Sequence, residues 1–178
     1  MKKILLTTTL AVLACSSSLT WAASTGEGQV NFTGEILDAA CEVVNSQSSP
    51  LAVDLGSVSK TAFTGVGSTT NITSFVLQLK NCPETVKTAA IKFGGNADLD
   101  NVNVLALTGG TGAASGVGIQ LVDADGTPLN LYTASADYTL ETGTATNSLE
   151  FGARYIQTAA AVTAGTANGS STFTVTYN

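Results

Sequence analysis

Histidine is absent from the 178 residues, cysteine and proline occur three times each, and methionine and tryptophan once. With no imidazole and few thiols, the usual parts of a zinc site, a hydrolytic triad or a cysteine nucleophile are lacking, so neither a metal nor a cofactor is expected. Charge is sparse as well: only 11% of residues are charged, with 7 Lys and Arg against 13 Asp and Glu, for a net charge of −6. Neutralising phosphates needs cationic side chains, so a nucleic-acid partner is not expected. No apolar run reaches the roughly 18 residues that suggest a spanning helix. A mean hydropathy of +0.27 is nonetheless high for a disordered chain. What is abundant is glycine, 18 residues of it, together with Thr, Ser and Ala. The length fits one domain able to bury a core, and the composition suits an all-β one.

The first 22 residues read as an export address. Met1-Lys2-Lys3 supplies the positive start, Ile4 to Ala14 the apolar stretch, and Thr20-Trp21-Ala22 a small-x-small cleavage site, with the cut expected after Ala22. Val12-Leu13-Ala14-Cys15 could also be read as a lipoprotein box. Leu13 is larger than that box usually prefers, and the apolar signal runs on past Cys15, so the plain signal is the better reading. Processing would leave Lys60, Lys80, Lys87, Lys92 and Arg154 as the basic residues and Cys41 and Cys82 as the cysteines. Two cysteines in an exported chain are most simply a disulfide, since an oxidising compartment lets it persist. Closing a loop of about 41 residues is credited with roughly 4 kcal/mol by chain-entropy arithmetic. The two cysteines are too far apart in sequence for a redox motif.

Beyond the signal the apolar period is 2, not 3.6. Val30, Phe32 and Ile36 alternate with polar residues; Ile72, Phe75, Leu77 and Leu79 mark a strand with an irregularity near Thr73-Ser74 that reads as a bulge. Further strands are expected at 51–55, 89–93, 102–107, 117–122, 129–132, 149–157 and 172–177. Turn chemistry separates them, at Gly94-Gly95-Asn96, Asp125-Gly126, Thr142-Gly143 and Asn168-Gly169. Short strands with regular turns and no helical segment predict an antiparallel sandwich.

Several local patterns imitate chemistry. Gly110-Thr111-Gly112-Ala113-Ala114-Ser115 resembles a dinucleotide fingerprint, but Ser115 replaces the third glycine and a strand follows where a helix is required. Asp123-Ala124-Asp125-Gly126 resembles the start of a calcium loop, yet the twelfth position is Ala134 rather than Glu, and a hairpin turn is the better reading. Asp98 and Asp100 lie in a polar, turn-like stretch and read as solvated loop charges rather than a glycosidase pair. Arg154 beside Tyr155 reads as a structural ion pair or stacked group. No catalytic residue is assigned.

The two ends are more informative. Residues 23–29 have almost nothing to bury and should form a mobile arm. At the other end Phe173, Val175 and Tyr177 share one face of a terminal strand, Thr174 and Thr176 the other, and Asn178 closes the sequence. From periodicity alone, Val30 and Phe32 could still be core residues of a complete sandwich.

Gly28-x-Val30-x-Phe32-x-Gly34-Glu35, Ala39-Ala40-Cys41 with Asn81-Cys82, Asn103-Val104-Leu105-Ala106-Leu107, Val117-Gly118-Ile119-Gln120-Leu121, Phe151-Gly152-Ala153-Arg154-Tyr155 and the penultimate Tyr177 occur in an order that resembles the chaperone-usher pilins, nearest to type 1 fimbrial major subunits. The resemblance implies an incomplete immunoglobulin-like β-sandwich, six-stranded, completed by a donor strand. It divides the chain into a signal (1–22), a donor extension (23–34) and a pilin domain (35–178). It implies that Gly26, Gly28, Val30 and Phe32 face the groove of a neighbouring copy, with Gly28 where no side chain fits. It implies that Phe173, Val175 and Tyr177 meet a periplasmic chaperone's strand, and that the Asn178 carboxylate meets its basic cleft. Export would use an outer-membrane usher, and the product would be a non-covalent homopolymer at the cell surface supporting adhesion, with no enzymatic activity and no small-molecule substrate. A minor adaptor pilin or a carbohydrate-binding adhesion module is the alternative.

Overall fold

The computed structural model describes residues 28–34, 36 and 40–177. The chain divides between Ile36 and Leu37 into two units. In the first, residues 28–34 and 36 carry no strand or helix. The apolar alternation there serves no core: Val30, Phe32 and Ile36 are 73%, 92% and 98% exposed.

Among its described residues the second unit is all-β apart from one 3-10 turn at Lys60–Ala62. Its strands are β1 (Glu42–Val43), β2 (Thr73–Cys82), β3 (Thr88–Gly94), β4 (Val117–Asp123), β5 (Pro128–Leu129), β6 (Tyr138–Thr139), β7 (Gly143–Gln157) and β8 (Thr172–Tyr177). They form a five-stranded sheet, β1-β2-β7-β4-β5, and a three-stranded sheet, β6-β3-β8, with every strand pairing antiparallel. This is the immunoglobulin-like sandwich expected. It has eight strands rather than the expected six, and three of them, β1, β5 and β6, are two-residue pieces.

Period-2 patterning places Phe75, Leu77 and Leu79 of β2, Leu149 and Phe151 of β7, Ile119 and Leu121 of β4, and Ala89, Ile91 and Phe93 of β3 between the sheets. Phe93 and Phe151 meet edge-to-face at 5.1 Å across this space, an orientation favoured by the ring quadrupoles. The disulfide Cys41–Cys82 forms as expected, with 4.2 Å between the two Cα atoms, and ties the approach to β1 to the end of β2.

Several expected elements differ. The irregularity of β2 lies between Lys80 and Cys82, where Asn81 has φ 53°, and not at Thr73-Ser74, whose register with β7 is continuous. Ile72 broke the apparent phase because it packs over Gly152 of β7. Residues 102–107 form a turn and isolated bridges rather than a strand, since Leu105 pairs singly with Ala97 and Ile119. The 129–132 strand stops at Leu129, and Tyr132 takes φ 63°. The 51–55 segment joins no ladder.

Candidate functional site

β8 is the outer strand of its sheet. Ala89 to Gly94 of β3 pair with it along its whole length, from Tyr177 back to Thr172. Among the described residues its other edge has no ladder partner. An unpartnered edge is a row of main-chain donors and acceptors ready to template another strand. The side chains of β8 alternate as predicted: Thr172, Thr174 and Thr176 are exposed, whereas Phe173, Val175 and Tyr177 are half-buried and pack against the core. The three predicted residues therefore lie on one face, directed into the sandwich. Asn178 lies outside the described residues.

Beside β8 opens a groove of about 880 Å³. Phe173, Val175 and Tyr177 form one wall, Leu51, Val53 and Leu55 the other, and Phe75, Leu77 and Leu121 lie deep in it. The second wall was missed as such by sequence reasoning, which took 51–55 for an ordinary strand. Its alternation is real, with Val53 and Leu55 less exposed than their neighbours. Yet no backbone hydrogen bond joins residues 50–58 to another described residue; the one bond there is from the Gly56 amide to the Asp54 carboxylate at 2.8 Å. On its far side lies a second recess of about 610 Å³, bordered by Lys60, Phe63 and residues 162–169. The groove is thus flanked by two extended segments, each with main-chain groups not engaged across it.

One end of the groove is closed by chemistry around the disulfide. The Tyr177 hydroxyl donates to the Cys41 carbonyl at 3.4 Å. Burial pushes the Tyr177 phenol up from its ordinary range, and the contact with the Cys41 backbone opposes this in part. In the second recess the Tyr155 hydroxyl donates to the Ala167 carbonyl at 2.9 Å, and burial together with the Asp54 carboxylate pushes that phenol up too. Both therefore act as neutral hydrogen-bond donors. At the other end of the groove, Gly169, Ser170 and Ser171 lead into β8.

Of the predicted donor residues, Gly28 has no described heavy atom within 4 Å of where a Cβ would stand, and Val30 and Phe32 are exposed. Gly26 lies outside the described residues, as do the signal and residues 23–27. The patterns that imitate chemistry resolve into loops. Asp125 accepts the Thr127 amide and hydroxyl inside the β4–β5 hairpin. Asp98 accepts the amides of Asp100 and Asn101. Arg154, expected in a structural ion pair or a stacked group, donates from Nε to the Gln120 side chain at 2.8 Å, a cross-strand hydrogen-bonded pair.

Comparison with known proteins agrees with this architecture. Residues 30–178 match the family model described as fimbrial protein. The chain is 37% identical over 187 residues to the fimbrial subunit type 1 of Salmonella typhimurium, covering 99% of this chain and all of that one. It is 40% identical over 182 residues to the type-1 fimbrial protein A chain of Escherichia coli K12, covering 98% of each. Among solved structures, the P pilus rod subunit superposes with a TM-score of 0.63 at 25% identity, over 79% of this chain and 100% of that one. A Burkholderia pseudomallei antigen and type I fimbria protein superposes at 0.60 with 41% identity, over 84% and 97%. A match of this extent to the family model, together with relatives aligned along nearly their whole length, establishes that the chain belongs to the fimbrial protein family, the pilins.

Proposed function

We propose that the chain is a structural subunit of a surface fimbria that polymerises non-covalently, each copy lending residues 23–34 as a strand to the groove of the next. The observation that carries this reading is the free edge of β8 beside the open groove, with Phe173, Val175 and Tyr177 half-buried beneath it. A donated strand would engage the main chain of β8 on one side and of residues 50–58 on the other, while alternate side chains enter the groove. Burying the exposed Val30 and Phe32 side chains would contribute about 3–6 kcal/mol, with about 0.5–1.5 kcal/mol net for each hydrogen bond formed. Those gains are large against a domain's total of about 5–15 kcal/mol. Because donor and acceptor are different surfaces, pairing is head-to-tail and builds a fibre rather than a closed dimer.

The same edge explains why a periplasmic chaperone and an outer-membrane usher belong to this reading. A chaperone strand laid along β8 would cover the edge until a subunit arm replaces it. The Cys41–Cys82 bridge fits passage through an oxidising compartment. No catalytic role is proposed.

The test is a thermal melt of residues 35–178, freed of co-purified chaperone, with and without a synthetic peptide of residues 23–34. The expected result is a low melting temperature that rises by tens of degrees with the peptide. A domain already stable and indifferent to the peptide would overturn the reading.

A further inference from the structure

Outside residues 28–36, three of the most exposed large apolar side chains gather at one end of the sandwich: Leu99 at 98%, Val102 at 68% and Tyr132 at 62%. The 98–104 turn is closed by the Asp98 amide donating to the Val104 carbonyl and by the Asp98 carboxylate, so Leu99 and Val102 stand at its tip by construction. The Leu131 amide donates to the Asn103 carbonyl at 3.1 Å, which brings Tyr132 alongside. Tyr132 is fixed there, with its hydroxyl bonded to the Gly95 carbonyl. Gly95 in turn lies against Ser170 and Ser171, the residues that lead into β8 and border the groove. The three side chains therefore stand near the Thr172 end of the groove, opposite Tyr177 and the disulfide. Large apolar side chains exposed close together at one end of a domain are candidates for an interaction surface.

The direction of the donated strand decides which end meets the body of the donating copy. Every strand pairing in the sandwich is antiparallel, and antiparallel ladders are slightly the more stable per residue. An arm added antiparallel to β8 runs from the Tyr177 end toward the Thr172 end and leaves the groove there. From Gly34 to Cys41, which the disulfide anchors to the sandwich, is seven residues of chain. Seven residues reach at most about 25 Å. The donor's own sandwich is thereby tethered close to the end that carries the patch.

We propose that Leu99, Val102 and Tyr132 form a seat for the body of the donating copy, a second contact between consecutive subunits in addition to the strand itself. The proposal rests on the strand-donation reading above. Trp21 is the only tryptophan and lies in the predicted signal, so L99W in the full chain places a single tryptophan, excited apart from the tyrosines, in the processed subunit. On passing from unassembled subunit to fibre, its emission should move to shorter wavelength and its quenching by acrylamide should fall several-fold. Fibres of the double variant Leu99→Ser, Val102→Ser should come apart at lower denaturant, while the unassembled variant melts as the parent does. If L99W folds normally but alone fails to form fibres, the seat is supported, because an exposed loop is then needed only between copies. Fibres in which the L99W emission and quenching are unchanged, or in which the double variant resists denaturant as the parent does, overturn the seat and leave strand donation standing. If the unsubstituted chain makes no fibre at all, strand donation falls and the seat with it.

Discussion

Two glycines stand in opposite surroundings, one packed within the sandwich and one with open space around it. A Cβ at Gly152 would stand 2.4 Å from Ile72 Cγ2 and 2.8 Å from Val122 Cγ2. Ile72 is exposed and can yield, but Val122 is buried and β-branched, with a restricted χ1. Gly152→Ala should therefore destabilise the sandwich by about 1–3 kcal/mol, as overpacking commonly does. Urea unfolding should show a lower midpoint with an unchanged slope; an unshifted midpoint would mean that both neighbours relax without cost. Gly28 is the opposite case. Nothing described lies within 4 Å of its missing Cβ, so Gly28→Leu should leave the melting temperature of the subunit unchanged. If Gly28 marks the close approach of the donated strand to the groove floor, the same substitution should abolish fibres in electron micrographs. Normal fibres would remove Gly28 from the donor register.

At the scale of the element, the disulfide and β8 act on the same end of the groove. Cys41 and Cys82 are both buried, and the Cys41 carbonyl receives the hydroxyl of Tyr177. Joint replacement by Ser removes a constraint worth roughly 4 kcal/mol in chain-entropy terms, and it places two hydroxyls at buried positions, one of them within reach of the Asn147 side-chain amide that donates to Cys82 Sγ at 3.5 Å. Periplasmic accumulation should fall sharply, measured by quantitative blotting against the parent; unchanged accumulation would show that the bridge is dispensable. The legibility of these elements in the sequence follows from what kind of interaction defines each. β8 was readable to its ends because Phe173, Val175 and Tyr177 alternate without a break against Thr. β7 begins six residues earlier than expected, since Gly143 to Ser148 are small or polar and join the strand through their ladder with β2. Val104 and Leu105 are consecutive and both buried, Val104 against Gly118 and Leu105 against Gly95, so their apolar run imitated a strand. The 51–55 segment shows the deepest limit. Its alternation was visible, but a ladder needs a second chain segment, and whether one is present is not a property of the residues read.

At the scale of the whole molecule, the two halves of the proposed joint belong to different parts of one chain, and that asymmetry has a consequence for length. A subunit reduced to residues 35–178 keeps β8, residues 50–58 and the groove between them, but has no arm to lend. On the proposed reading it can accept a neighbour and cannot be accepted by one. Mixed with full-length subunits, it should enter a fibre once and end growth in the direction that needs its arm, because head-to-tail pairing offers no other way past it. Mean fibre length should then fall in inverse proportion to the share of truncated subunits, while the total mass of protein in fibres changes far less. Length distributions from electron micrographs of co-expressed mixtures would show this. If length were independent of the truncated fraction while the truncated chain was still incorporated, residues 23–34 would not be the connecting strand. If the truncated chain never appeared in fibres, the groove alone would be insufficient to accept a neighbour.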